Sequence, residues 1–264
     1  MTPPLTLAIE VSNPSATGAA PDGVTPVPEV VGPSVALARG PLVLDQEWVG
    51  ASRGRHGDDL MPAIDRMVRR AGHTPRDVSR VCVSIGPGGF TGLRVAVATA
   101  KAIGESIIAR GGPRSCTVGV PTARVAALNH VLRRGDTDAR PFAVALASKR
   151  DTAWLTCFDA RGAPESGVTG HPGLLAAAHD LAHLHRVHAL GVLIADQFLP
   201  GALRDAAAAL GLAIEAPILS ARACAIVASG LPGIDPACLM PMYPREPEAV
   251  TLWRARGRTH PGPA

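Results

Sequence analysis

The sequence predicts an α/β fold made of two successive halves of similar plan. Three observations carry that prediction. Short apolar runs of strand length alternate with longer segments of helical spacing. Two successive stretches each run in an order like three strands, a helix, a strand and a helix, with a boundary near residues 111–120 or 134–141. The chain has 264 residues, of which 47% are hydrophobic and 18% charged. A chain of that size buries roughly 70–75% of its unfolded surface and needs no staples.

Each element has a local reason. Leu5–Val11 reads as a buried strand. Residues 13–33 lose periodicity, with five Pro and three Gly, and read as an inserted flexible loop. Ser34–Ala38 and Leu42–Val49 resume strand character around the turn signal Gly40-Pro41. Asp58–Ala71 has helical spacing, with Leu60, Met61, Ile64, Met67 and Val68 on one face. Asp58 or Asp59 can cap it, Pro62 is tolerated in its first turn and Gly72 ends it. Val81–Ile85 reads as a strand, Thr91–Ile108 as a long helix, Thr117–Val120 as a strand and Thr122–Arg133 as a helix. The second half reads as strands Phe142–Ala147 and Thr152–Phe158, helix Leu174–His188, strand Leu190–Ala195, helix Leu203–Leu210, strand Ala213–Ala216 and helix Leu219–Ser229. The rest, from Asp235, is Pro-rich and reads as extended. The boundary between the halves falls near residues 111–120 or 134–141.

Composition excludes several classes. Mean hydropathy is +0.18, yet no apolar run approaches the ~18 residues of a membrane helix. The apolar stretch at the N-terminus is too short for a signal peptide and lacks a basic flank. Five scattered cysteines without a CxxC pair point to reduced thiols in the cytoplasm, not to a disulfide framework or a zinc site. A net charge of +4 permits nucleic-acid contact without demanding it; only Lys101 and Lys149 of the 26 basic residues are lysine.

The most informative stretch is Ser84-Ile85-Gly86-Pro87-Gly88-Gly89-Phe90-Thr91-Gly92-Leu93-Arg94, a glycine turn between a strand and a helix. Gly86, Gly88, Gly89, Thr91 and Gly92 are candidates to cradle a phosphate, because glycines permit close approach and a helix start offers free N–H groups. Tight strand-to-helix packing is the other reading. The turn is neither a Walker A loop, since no Lys-Ser/Thr follows, nor GxGxxG, since its third glycine comes one place late. In the helix that follows, Ala96, Ala98, Ala100, Ala102 and Gly104 are small, which suits either core packing or the close approach of a partner. His179 and His183, with His185 and His188 nearby, stand at helical i, i+4 spacing. They lack the zincin glutamate and a clear third ligand, so no metal site is expected. The basic Arg254, Arg256 and Arg258 could touch RNA phosphate or stay solvated.

At Ser84–Lys101 the sequence resembles the strand–turn–helix of the TsaB family, accessory subunits of threonylcarbamoyladenosine modification of tRNA. Arg55–Ile64 is similar to that family's His-Ser-Glu-x-Leu-Leu-Pro helix and Val118–Thr122 to its Val-Gly-Val-Ser-Thr. Leu239–Arg245, with Pro247–Val250, resembles its C-terminal Pro-x-Tyr-x-Arg segment. The resemblance runs from about residue 5 to 253. It implies a two-lobed fold like actin and the sugar kinases: an N-terminal lobe over 1–115 holding the 13–33 insertion, a C-terminal lobe over 116–244 and an extended basic tail over 245–264. It implies no catalytic residues, no catalysis by the isolated chain and no resident metal. The two positions corresponding to the paralogue's metal-binding histidines are Thr122 and Ala126.

The implied function is support of a TsaD-type transferase that threonylcarbamoylates the adenosine beside the anticodon of ANN-decoding tRNAs. A TsaE-type ATPase joins, and tRNA is met through the complex. The expected pairing surface is the two N-lobe helices, with Leu60, Ile64, Met67, Leu93, Arg94, Val97 and Lys101 as its contacts. A homodimer through the same surface stays open for the chain alone, and so does a nucleotide at the partner interface. The cytoplasm is the implied location. The alternative is an autonomous actin-like ATPase or kinase that uses the Gly86–Gly92 turn for phosphate. Actin-like ATPases pair an N-terminal Asp with a glycine turn, whereas Glu10-Val11-Ser12-Asn13 keeps only an acid, and Ala195-Asp196-Gln197 likewise lacks the glycines expected of a second turn. A metallopeptidase, a label the paralogous family has carried, is weakened by Thr122 and Ala126.

Overall fold

The computed structural model describes residues 2–12, 32–50, 59–135, 140–164, 173–245 and 248–255. Most of the 13–33 insertion, the start of the Arg55–Ile64 motif and the tail beyond 255 lie outside them.

The first half runs β1 (Leu5–Glu10), β2 (Ser34–Arg39), β3 (Leu42–Trp48), α1 (Leu60–Arg70), β4 (Arg80–Gly86), α2 (Phe90–Ala109), β5 (Thr117–Pro121) and α3 (Thr122–Arg134). The second half runs β6 (Phe142–Lys149), β7 (Thr152–Phe158), β8 (Leu174–Ala176), α4 (Ala178–His188), β9 (Val192–Ala195), α5 (Gly201–Ala209), β10 (Ala213–Glu215) and α6 (Ala221–Ser229). The two sheets have strand orders β3-β2-β1-β4-β5 and β10-β9-β6-β7-β8. Read from matching ends, these are the same topology. In each, the first strand pairs antiparallel with the second and parallel with the fourth. The two-lobed actin-like α/β fold implied by the sequence is therefore present.

Period-2 alternation explains how the layers stack. Leu5, Leu7 and Ile9 of β1 join Val81 and Val83 of β4 in a core with α1 and α2. On the opposite face of that sheet, Ala8, Ala36, Cys82 and Val120 meet α3 and α6, which also cover Phe142, Val144 and Ile194 of the second sheet. The outer face of the second sheet, with Ala143, Leu155 and Leu193, is closed by α4 and α5. The order is thus helices, sheet, helices, sheet, helices. The middle layer ties the halves together through Ser34, whose Oγ accepts from Ala221 N at 3.0 Å, and Asn129, whose Nδ2 donates to Ile218 O at 2.9 Å.

Several expectations need correction. β5 belongs to the first sheet, so that lobe does not end at residue 115. After α6 the chain also returns to it: Ile234 N donates to Thr117 O at 2.7 Å and Met242 N to Ile85 O at 2.6 Å. The boundary that matches the repeat is the 134–141 one. Leu174–Ala176 is an edge strand on β7, not the first turn of a helix. The C-terminal segment is not wholly extended: it contains a 3-10 turn at Pro236–Cys238 and a helix, α7, at Glu248–Ala255. Asp59 is the N-cap residue of α1, but no side-chain cap bond forms. Its carboxylate instead accepts from Gly50 N at 3.0 Å and faces Arg66 at 3.4 Å. Arg66 also pairs with Glu47 at 2.7 Å, while Arg70 pairs with Asp45 at 2.8 Å and Glu47 at 2.7 Å. These pairs orient α1 on β3.

Candidate functional site

Two places deserve the name of candidate site: the glycine turn with the acid beside it, and the outer face of α1 and α2. The acid is Glu10, at the end of β1 and 1% exposed. Its Oε1 accepts from Ser12 N at 2.8 Å and from Ser12 Oγ at 2.5 Å. Its Oε2 accepts from Ser84 Oγ of β4. Burial pushes this carboxyl above its usual value, and the hydrogen bonds from Ser12 and Ser84 oppose that rise in part. Beside it lies Cys224 of α6, whose thiol is pushed up well above its usual value by a hydrogen bond with Cys82 and by burial. The bonds from Ser12 and Ser84 make the acid a knot joining β1, β4 and the start of the β1–β2 connection.

The glycine turn is packed by the same connection. Gly89 N donates to Ser12 O at 2.6 Å, and Gly86 N donates to Thr122 Oγ1 at 3.1 Å. A Cβ on Gly88 would lie 2.2 Å from Ser12 O, one on Gly92 2.4 Å from Val11 O, and one on Gly86 2.7 Å from Met242 O. Gly86 also has φ +110°, a backbone conformation that favours glycine. These glycines therefore have a full account in close backbone approach. Of the five phosphate candidates, Gly86, Gly88 and Gly92 are crowded by this chain's own backbone, Gly89 spends its N–H on Ser12, and Thr91 is exposed on α2. Gly104 is similar: its Cβ would lie 2.6 Å from Pro236 and 2.7 Å from Thr117, so its smallness serves the chain's own packing.

The α1–α2 face differs from the expectation residue by residue. Leu60, Ile64, Met67, Leu93 and Val97 are buried in the chain's own core. Their i, i+3, i+4 spacing marks the face each helix turns toward the sheet, and of these five only Ile64 also lines the groove between the helices. Arg94 is exposed and Lys101 half-buried. The surface actually offered holds Met61, 55% exposed, and Val95, 37% exposed, with exposed Ala98 and Ala102. Between the helices lies a groove of about 620 Å³ whose walls include Met61, Ile64, Val68, Val78, Ala102 and Ile103. Its rim carries Asp65, Ser106 and Arg110. Met61, expected on the apolar face of α1, instead lies off the buried stripe; the sequence signals for this surface were Val95 and the small residues Ala98 and Ala102.

The histidines of α4 do not form a cage. His179 is exposed and lies 3.3 Å from Asp180, and no group of three or more His, Cys, Asp or Glu placed to hold a metal occurs among the described residues. Thr122 and Ala126 are buried in α3. No helix among the described residues is long and apolar enough to cross a membrane.

Residues 51–163 match a family model described as TsaD, tRNA N6-adenosine threonylcarbamoyltransferase. Over 73 residues the chain is 32% identical to the tRNA threonylcarbamoyladenosine biosynthesis protein TsaB of Bacillus subtilis (strain 168), covering 28% of this chain and 31% of that protein. Over 123 residues it is 29% identical to the uncharacterized protein Mb3455c of Mycobacterium bovis, covering 47% of this chain and 52% of that one. The chain thus spans about a third to a half of the length of these curated relatives. Among solved structures, YeaZ from Pseudomonas aeruginosa superposes with a TM-score of 0.58 at 18% identity, covering 91% of this chain and 99% of that one. A second structure, of an uncharacterized protein with similarity to peptidase YEAZ from the same organism, gives 0.60 at 18% identity, with 92% and 100% covered. Both likenesses show the fold.

Proposed function

We infer that this chain, a TsaB-family protein, acts in threonylcarbamoyladenosine biosynthesis as a non-catalytic accessory subunit. In this reading it pairs with a TsaD-type transferase through the outer face of α1 and α2. The complex, joined by a TsaE-type ATPase, modifies the adenosine beside the anticodon of ANN-decoding tRNAs. The observation that carries the reading is the apolar groove between α1 and α2, bordered by exposed Met61, Ala98 and Ala102. Small side chains on a helix crest allow another helix to approach to about 8–10 Å. An exposed apolar surface of this kind marks an interaction site more often than a neutral stretch of surface does.

The glycine turn supports the non-catalytic part. A phosphate cradle needs open N–H groups and room beside the glycines. Here the space is taken by Val11, Ser12 and Met242, and Glu10 is tied to two serines. Nothing in that arrangement favours the autonomous ATPase reading, and a nucleotide, where one is bound, belongs to the interface with the partner.

The test is mass spectrometry of tRNA nucleosides from cells depleted of the chain. Threonylcarbamoyladenosine falls on depletion and returns with the wild-type chain but not with the double variant Ala98→Glu/Ala102→Glu. Unchanged modification after depletion would overturn the role. Full rescue by the double variant would overturn the surface.

A further inference from the structure

Two sequence motifs that lie far apart in the chain meet at one exposed spot beside the α1–α2 groove. Phe90 opens α2 at the glycine turn, and Tyr243 lies in the Leu239–Arg245 segment. Their ring centroids are 5.4 Å apart with the planes tilted by 36°. Phe90 is 57% exposed, Tyr243 41% and Met240 63%. The Arg94 guanidinium sits 5.0 Å from the Phe90 ring centroid, and Lys101 Nζ lies 3.9 Å from Met240 Sδ. Among the described residues neither Arg94 nor Lys101 has a carboxylate partner.

At about 100° per residue, Phe90, Arg94 and Lys101 fall within about 40° of one another on α2, about 40–80° from Ala98 and about 80–140° from Val95 and Ala102. The cluster thus borders the α1–α2 groove without lining it, since the groove walls include none of these residues. Isolated exposed aromatics are ordinary. Two in contact, with one unneutralised cation over a ring and a second beside neighbouring Met240, are a defined chemical combination. Every nucleobase has a π face that stacks on an aromatic ring. A guanidinium lying over a ring keeps its N–H donors free at the edge for phosphate oxygens.

We propose that Phe90, Tyr243, Arg94 and Lys101 form a platform for single-stranded RNA, with an unstacked base on the rings and the adjoining phosphates at the two cations. The choice of RNA as the polyanion rests on the tRNA-modification reading above. The platform gives the accessory chain a direct contact with unpaired nucleotides in addition to its pairing surface. The rings supply most of the affinity for unpaired bases, and the cations supply its salt dependence.

The experiment is fluorescence anisotropy of the purified full chain with two labelled probes: an RNA hairpin with a single-stranded loop, and a fully paired RNA duplex of the same length. Each is titrated over a range of salt concentrations. The hairpin binds more tightly than the duplex. Phe90→Leu and Tyr243→Leu, which keep apolar bulk without the aromatic face, each weaken hairpin binding by about 5- to 150-fold. Arg94→Gln and Lys101→Gln each reduce the slope of log K against log salt by about 0.7. Thermal melts followed by circular dichroism accompany every variant, and a variant that fails to melt as the wild type does is replaced by Phe90→Met or Tyr243→Met.

Equal binding of hairpin and duplex, no binding at low salt, or leucine variants that bind as the wild type does would each overturn the proposal. AMP binding as tightly as the hairpin would make this a free-nucleotide site and overturn it too. Capture of the TsaD-type protein by Phe90→Leu is measured in parallel. Capture retained with RNA binding lost supports the platform, whereas capture lost with RNA binding retained makes the cluster a protein contact. Failure of the wild-type chain to capture that protein would sink the pairing reading and leave the RNA titration to be judged on its own.

Discussion

Replacing Gly92 with alanine separates two accounts of the glycine turn. Gly92 is the third residue of α2, where alanine is intrinsically preferred over glycine by about 1 kcal/mol. On propensity alone the variant is more stable. The added Cβ, however, would stand 2.4 Å from the carbonyl oxygen of Val11. That contact must open by roughly 1 Å to reach ordinary van der Waals distance. The neighbour is backbone, at the point where β1 leads into the Ser12 knot, so no flexible side chain can give way. Overpacking of this kind costs about 1–3 kcal/mol, and displacing Ser12 also weakens the Gly89 N–H···O bond, worth about 1 kcal/mol. The clash therefore outweighs the propensity, for a net loss of about 1–3 kcal/mol.

In a domain of this size that loss lowers Tm by roughly 2–12 °C. Gly201, the first residue of α5, is the control, because a Cβ there meets nothing within 4 Å. Gly201→Ala is expected to gain about 0.4–1 kcal/mol. Differential scanning calorimetry of the two variants beside the wild type reads both effects. A Gly92→Ala protein as stable as the wild type would refute the packing account. A loss of ATP affinity without any loss of stability would return the turn to phosphate chemistry.

Other outcomes follow from the same geometry. The buried Glu10 carboxyl has its pKa raised above 4.5, so the native state holds that proton more tightly than the unfolded chain does. Its contribution to stability is accordingly lost as pH rises from about 4.5 through the folded-state value and stays lost above it. Glu10→Gln removes that loss, so urea melts should show a variant-minus-wild-type difference in stability that grows as pH rises through this window and levels off above it; a difference independent of pH would refute the assignment. Ser220 caps α6 through Ala223 N at 3.2 Å and also receives Asn129 Nδ2 at 3.3 Å. Ser220→Ala should cost about 1–2 kcal/mol in the same melts. Isothermal titration of ATP into the isolated chain should give no binding heat, and a stoichiometric heat would favour the autonomous enzyme.

The sequence announced the fold more clearly than the site, for physical reasons. β1, β4 and α2 could be read because burial imposes periodicity, and the duplicated order of elements could be read because both sheets solve the same covering problem. Leu174–Ala176 was harder, since a three-residue apolar run next to a helix carries no period of its own. The α1–α2 face is more instructive. Leu60, Ile64, Met67 and Val97 stand out in sequence because they are the stripe, and a stripe identifies the inward face. The outward side of the same helices shows only as small or stray apolar residues, here Met61, Val95, Ala98 and Ala102. The glycines pose a different difficulty. Gly88 and Gly92 announce that something comes close, but the visitors, Ser12 and Val11, lie far back in the chain across an intervening sheet. Likewise, the meeting of Phe90 with Tyr243 depends on the chain's return to the first lobe after α6, which no local pattern reveals.

The central claim is that this chain works through a partner bound at the α1–α2 face. Affinity capture of the tagged full chain from its native lysate, quantified by mass spectrometry, tests it most directly. The account predicts recovery of the TsaD-type paralogue at near-equal abundance with the wild-type chain, and at least a tenfold reduction with Ala98→Glu/Ala102→Glu at unchanged Tm. Absence of that paralogue from the wild-type capture, together with ATP turnover by the chain alone, would contradict it.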